Sequence, residues 1–203
     1  MHVKTVPKIK TVFLLGKHAD PMMVVGNRIP QTFFVTSGVG ESDITIHAGS
    51  YHLALKEAGI ERCNIIVYSS ILPGVATEVQ KAENFPDNLV HGAVMETIMA
   101  TANSEKSHRA TAGIIFGWLF DKETGEKYGG LVCEYNGDFS EDEAKKSLRM
   151  SLQELYVNGY SEKFLLKEDR VIIRSFVPKK KHGTAIVALC FTDYLYPVAS
   201  VAK

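Results

Sequence analysis

The sequence predicts an α+β domain in which two helices cover a largely antiparallel or mixed sheet. Three observations predict it. Runs rich in β-branched and aromatic residues recur from Gln31 to Phe191. Only two segments, one from about Ser50 and one after Ser140, carry apolar residues at helical spacing. The order is strand, helix, strand, three strands, helix, two strands, which is not the strict alternation of a βαβ chain.

Composition bounds the rest. A chain of 203 residues suits one domain that buries its core without disulfides or metals. Hydrophobic residues make up 45% and charged residues 23%, which excludes wholesale disorder. Lys plus Arg and Asp plus Glu are each 23, so the net charge is zero. That balance argues against nucleic acid or a membrane surface as partner and favours self-association. Cys63, Cys133 and Cys190 are an odd set without a CxxC pair, which fits a reducing cytoplasm rather than a disulfide framework. The apolar run Val12 to Leu15 is too short for a signal segment, and no run approaches the roughly 18 residues of a membrane span.

Taken in order, residues 1–28 read as an arm, broken by Pro7 and Pro21, and residues 29–203 as a single domain. Gln31 to Ser37 reads as a strand closed by the turn signal Gly38-Val39-Gly40. Tyr51, Leu55 and Ala58 share a helix face, with Gly59 as its C-cap. Asn64 to Leu72 is rich in β-branched residues and reads as one buried strand, stopped by Pro73-Gly74. Residues 90–102, 112–120 and 129–135 read as a three-stranded meander, with Thr124-Gly125 as a hairpin turn. Ser140 and Glu143 form a capping box that starts the second helix, which ends near Asn158-Gly159. Residues 171–177 and 184–191 are the last strands, joined by a basic turn from Lys179 to His182.

Generic motifs contribute little. No phosphate loop, HExxH or GxSxG is present. His47, His52 and Cys63 make a poor metal set, because a five-residue spacing does not put both histidines on one helix face. Cys133 reads as a small buried hydrophobe. The odd feature is Ser69-Ser70, two adjacent hydroxyls where a buried strand should run.

Four stretches around that pair carry a resemblance. They are Ile29-Pro30 to Gly40; Ala58-Gly59-Ile60 with Asn64, Ser69-Ser70-Ile71 and Leu72-Pro73; His91 to Ala100; and Gly129 to Gly137 with Glu134-Tyr135 inside it. In this order they resemble the pyruvoyl-dependent arginine decarboxylase family. The resemblance implies an αββα sandwich, assembled as a homotrimer or a dimer of trimers with active sites between subunits. It implies that the chain cuts itself between Ser69 and Ser70. The Ser70 hydroxyl attacks the Ser69 carbonyl, and elimination with loss of ammonia leaves a pyruvoyl cofactor at residue 70. This needs a tight backbone and an oxyanion donor. The ketone then acts as the electron sink for decarboxylation of an amino acid, with arginine to agmatine as the leading reaction. Glu134 is implied as the acid that returns a proton to the α-carbon, so that replacing it impairs turnover and spares cleavage. Asn64, Leu55 and His52 are implied to hold the substrate.

One position departs from the family. Its members carry an acid where this chain has His52, and a histidine pairs poorly with a guanidinium. Asp43 and Glu96 are the acids expected to take over. The alternatives are a decarboxylase of the same cofactor for another amino acid, or an uncut relative that binds without turnover.

Overall fold

The computed structural model describes residues 25–81 and 90–197. The arm expected over residues 1–28 lies outside them apart from its last four residues. Pro30–Asp193 form one compact unit, and residues 25–29 and 194–197 group apart from it. In the smaller group the Gly26 N–H donates to the Pro197 carbonyl, and the Arg28 guanidinium lies 5.7 Å from the Tyr194 ring centre.

The strands form two sheets. The first has the order β2 (Asn64–Val67), β5 (Val94–Glu105), β9 (His182–Leu195), β1 (Ile29–Ser42), β4 (Thr77–Glu78). The second has the order β3 (Ile71–Pro73), β7 (Lys127–Gly137), β6 (Ala110–Asp121), β8 (Phe164–Phe176), antiparallel throughout. Helix α1 (His52–Ala58), entered through a π-helical turn over Ile46–Tyr51, lies on the first sheet. Helix α2 (Glu141–Gly159) lies on the second.

The alternation of side chains builds the layers. Phe34, Met95, Ile186, Ala188 and Cys190 point from the first sheet to Ala54, Leu55 and Ala58 of α1. Phe33, one residue away, points the other way and meets Phe116 edge-on at 6.0 Å and Phe191 at 6.2 Å. Ile115 and Leu119 turn from Phe116's strand toward Leu148 and Leu152 of α2. The result is the expected αββα sandwich. Its middle is cemented by aromatic rings, each worth about 1.5–3 kcal/mol on full burial.

Several local expectations meet the structure directly. Gly59 caps α1 at φ 67, with the Ile60 N–H returning to the Leu55 carbonyl at 3.0 Å. The Ser140–Glu143 capping box closes in both directions. Gly125 turns the β6–β7 hairpin at φ 72.

Others are corrected. Gly38 and Gly40 do not end a strand, since β1 runs on to Ser42. They lack side chains because α1 rests on them. A Cβ on Gly38 would stand 2.2 Å from the Ala54 carbonyl oxygen, and one on Gly40 2.1 Å from that of Ser50. The three-stranded meander is only a hairpin, because β5 pairs with β9 in the other sheet. The buried strand over Asn64 to Leu72 is two short strands in different sheets, and Ile66, Val67 and Ile71 are exposed in the single chain.

Candidate active site

The bond between Ser69 and Ser70 lies where the chain crosses between sheets. β2 runs parallel to β5 from Asn64↔Val94 to Val67↔Thr97, and the Tyr68 N–H makes the next bond, to the Thr97 carbonyl at 2.7 Å. On the far side the Val132 N–H donates to the Ser70 carbonyl at 2.9 Å, and Ile71 pairs with Leu131. Between them the Ile71 N–H donates to the Ser69 carbonyl at 2.9 Å, which closes a γ-turn centred on Ser70. The turn is tight without placing Ser70 at positive φ. Two hydroxyls are tolerated here because Ser69 is exposed and Ser70 only half-buried.

Glu134 faces this turn. Along β7, Leu131 and Cys133 point to α2, so Val132 and Glu134 point between the sheets. The Ser70 hydroxyl donates to the Glu134 carboxylate, with Oγ 3.3 and 3.5 Å from its two oxygens. Burial pushes the Glu134 carboxyl above its usual range, and the hydrogen bond from Ser70 pulls part of that back. Cys133 beside it is buried as expected, with its thiol pushed up to about 11 chiefly by burial.

The segment after Ser70 is pinned. Leu72 lies over Gly129 and Gly130, where a Cβ on Gly130 would come within 3.1 Å of Leu72 Cβ and 3.0 Å of the Trp118 ring. The Lys127 amine donates to the Ala76 carbonyl at 2.8 Å and sits 3.8 Å from the Trp118 ring centre.

The other predicted residues lie elsewhere. His52, Leu55 and Asn64 line one cleft of about 360 Å³ together with His47, Tyr51, Glu61, Cys63 and Ile65. Asn64 Nδ2 donates to the Gly92 carbonyl at 2.9 Å. Asp43 is outside this cleft, exposed, and accepts the Lys181 N–H at 3.2 Å in the basic turn. Glu96 is buried in β5, opposite Ile66, on the side facing the second sheet. His47, His52 and Cys63 share the cleft, but no group of three metal-ligating side chains is arranged to hold an ion among the described residues. One chain thus brings Ser69, Ser70 and Glu134 together, and His52, Leu55 and Asn64 together, with the length of β2 between the two sets. Sequence reasoning missed Glu61 and the Ile71 N–H. Glu61 sits in a two-residue turn with no periodicity to flag it, and a backbone donor leaves no side-chain signature.

A model of the pyruvoyl-dependent arginine decarboxylase family matches residues 32–196. The chain belongs to this family. The pyruvoyl-dependent arginine decarboxylase AaxB of Chlamydia abortus is 34% identical over 193 residues, covering 85% of this chain and 95% of that one. The AaxB of Chlamydia pneumoniae is 33% identical over 192 residues with the same coverage. The pyruvoyl-dependent arginine decarboxylase of Methanocella arvoryzae is 33% identical over 120 residues, 52% of this chain and 70% of that one. A member of this family is a carboxy-lyase with a pyruvoyl cofactor.

The residues present fit a pyruvoyl group made from the chain itself. Residue 70 is a serine, its carbonyl is fixed by Val132, and the carbonyl before it already accepts a backbone N–H. A carboxylate stands on its hydroxyl. No helix among the described residues is long and apolar enough to cross a membrane.

Proposed function

We propose that this chain cuts itself between Ser69 and Ser70 and then decarboxylates arginine to agmatine. The observation that carries the reading is the γ-turn at Ser70 with the Glu134 carboxylate 3.3 Å from Oγ. In cutting, Glu134 takes the hydroxyl proton, and Oγ forms a bond to the Ser69 carbonyl carbon. The Ile71 N–H stabilises the oxyanion as the C–N bond to Ser70 breaks. Elimination releases the Ser69 carboxylate, and hydrolytic loss of ammonia leaves the ketone.

The pyruvoyl group supplies an electron sink for the departure of carbon dioxide. The protein supplies position and a proton. Val132 holds the residue-70 carbonyl, the Gly129–Gly130 track seats Leu72, and Glu134 delivers its proton to the substrate α-carbon. The raised affinity of Glu134 for that proton supports the role.

The cleft of His52, Leu55 and Asn64 takes the rest of the substrate, and it belongs to a neighbouring copy. β2 carries the chain about 13 Å from Asn64 to Tyr68, farther than one amino acid reaches. A site using both ends must therefore form between subunits. Apolar side chains exposed on Ile66, Val67, Ile71 and Val94 support this, and a homotrimer, single or stacked in pairs, is the assembly we assign. The free thiols of Cys63, Cys133 and Cys190 suit a reducing, cytoplasmic setting.

The test is an intact mass spectrum under denaturing conditions, alongside carbon dioxide release from arginine. The wild-type chain should give residues 1–69 and a second fragment that starts at residue 70 with a carbonyl-reactive terminus. Ser70→Ala should give one uncut chain and no carbon dioxide. Decarboxylation by uncut Ser70→Ala would sink the proposal.

A further inference from the structure

We infer that Glu61 is the specificity-determining residue that binds the guanidinium of the substrate. The inference rests on the reading above, in which the cleft of His52, Leu55 and Asn64 takes the substrate side chain.

The cleft has the chemistry of an arginine side chain. Leu55 and Ile65 offer apolar walls for the methylene stem, and Tyr51 offers a ring to a planar cation. Among the described residues that line it, Glu61 is the one carboxylate. Glu61 is half-buried, and among the described residues no hydrogen bond or ion pair holds its carboxylate. Its charge is felt in the cleft, since it adds to the burial that raises the Cys63 thiol.

The other acids nearby are engaged or turned away. Glu57 pairs with Arg174 and accepts the Val39 N–H at 3.1 Å. Asp43 is held in the Lys181 turn. Glu96 is buried on the opposite side of the first sheet from α1. A guanidinium needs a carboxylate that accepts two parallel N–H bonds, and Glu61, whose charge also favours the Lys81 ammonium, has no hydrogen bond or salt bridge among the described residues to prevent it. His52 then stands beside the ion pair and is not its partner.

The experiment compares wild type with Glu61→Gln, which keeps shape and removes charge, and with Glu61→Asp, which keeps charge and shortens reach. Agmatine affinity is measured by calorimetry on the cut, assembled enzymes, beside KM and kcat for arginine and the mass spectrum of each variant. Glu61→Gln should cut normally, bind agmatine about 10- to 100-fold more weakly and raise KM by a similar factor with kcat changed little. Glu61→Asp should fall between the two. Equal agmatine affinity in all three, or no binding by the wild type, would overturn the assignment. Should Glu61→Gln fail to fold, Glu61→Asp alone decides, since an unaltered affinity there would also overturn it. A wild type that binds agmatine through Glu61 yet releases no carbon dioxide would instead defeat the decarboxylase reading and leave Glu61 in place.

Discussion

Glu134 is held between two opposed effects, and its carboxyl faces the Ser70 hydroxyl. Burial favours the protonated carboxyl, while the hydroxyl of Ser70 favours the carboxylate, and burial is the larger. A folded-state pKa above the unfolded one means that the folded chain binds the extra proton. Stability from this group is therefore complete below the ordinary carboxyl range and is lost as pH rises through the raised value. Glu134→Gln should remove that loss, so the difference in melting temperature between variant and wild type should grow in the variant's favour as pH is raised from 4 to 7. A parallel pair of curves would show that Glu134 is not desolvated. The same variant should slow self-cutting and lower kcat by roughly 10²- to 10⁴-fold. This differs from the expectation that cutting would be spared, because the sequence does not place the carboxylate on the Ser70 hydroxyl and the folded chain does.

Among the elements, α1 shows how a short helix is kept in place. Seven residues are too few to be stable alone, so the helix depends on its seat. The seat is the bare backbone at Gly38 and Gly40, with Thr36 Oγ1 donating to the Ala58 carbonyl at 2.8 Å. Gly40→Ala should push the helix off the strand, costing about 3 kcal/mol and roughly 6–12 °C in melting temperature. Agmatine affinity should fall with it, because His52 and Leu55 line the cleft from this helix and Tyr51 from the turn that leads into it. A scanning calorimetry trace and a binding isotherm check both. The glycines also mark the limit of reading a sequence. A glycine pair means a turn or a close approach, and only the partner helix distinguishes them. Signals that act within a few residues, such as the Ser140–Glu143 box and Gly59, were legible, because both partners lie in the same short window. The split of Asn64 to Leu72 into β2 and β3 was not, because the choice of sheet depends on Thr97 and Leu131, far along the chain. The serine pair and Glu134 were legible as residue types with a family pattern, and their contact was not.

For the whole molecule, the proposed cut would divide the chain without dividing the structure. Residues 1–69 supply β1 and β2, and the remainder supplies β4, β5 and β9 of the same sheet. β2 pairs with β5, and β1 lies between β9 and β4, so the two fragments interleave. They should co-elute under native conditions and part only in denaturant; separation in buffer would contradict the sheet order. Assembly gives a second expectation at this scale. Co-assembling Ser70→Ala chains with Asn64→Ala chains should restore activity that neither has alone, because an intact cleft then meets an intact residue 70 across an interface. A mixture as inactive as its parents would place the whole site within one chain. Light scattering should give about three or six times the monomer mass.

If the chain matures as proposed, the hydrogen bond from Ser70 to Glu134 belongs to the uncut chain alone. Conversion of the serine to a ketone would remove its hydroxyl, and with it the side-chain hydrogen bond that holds the Glu134 pKa down. The carboxyl proposed to accept a proton during cutting would then, once cutting is complete, be a better keeper of one. On the proposed reading, the sequence of steps that builds the cofactor would thus also raise the proton affinity of its acid. An uncut chain, on the same reading, lacks the ketone, and its Glu134 carboxyl, though raised by burial, is held lower by Ser70 than it would be after cutting.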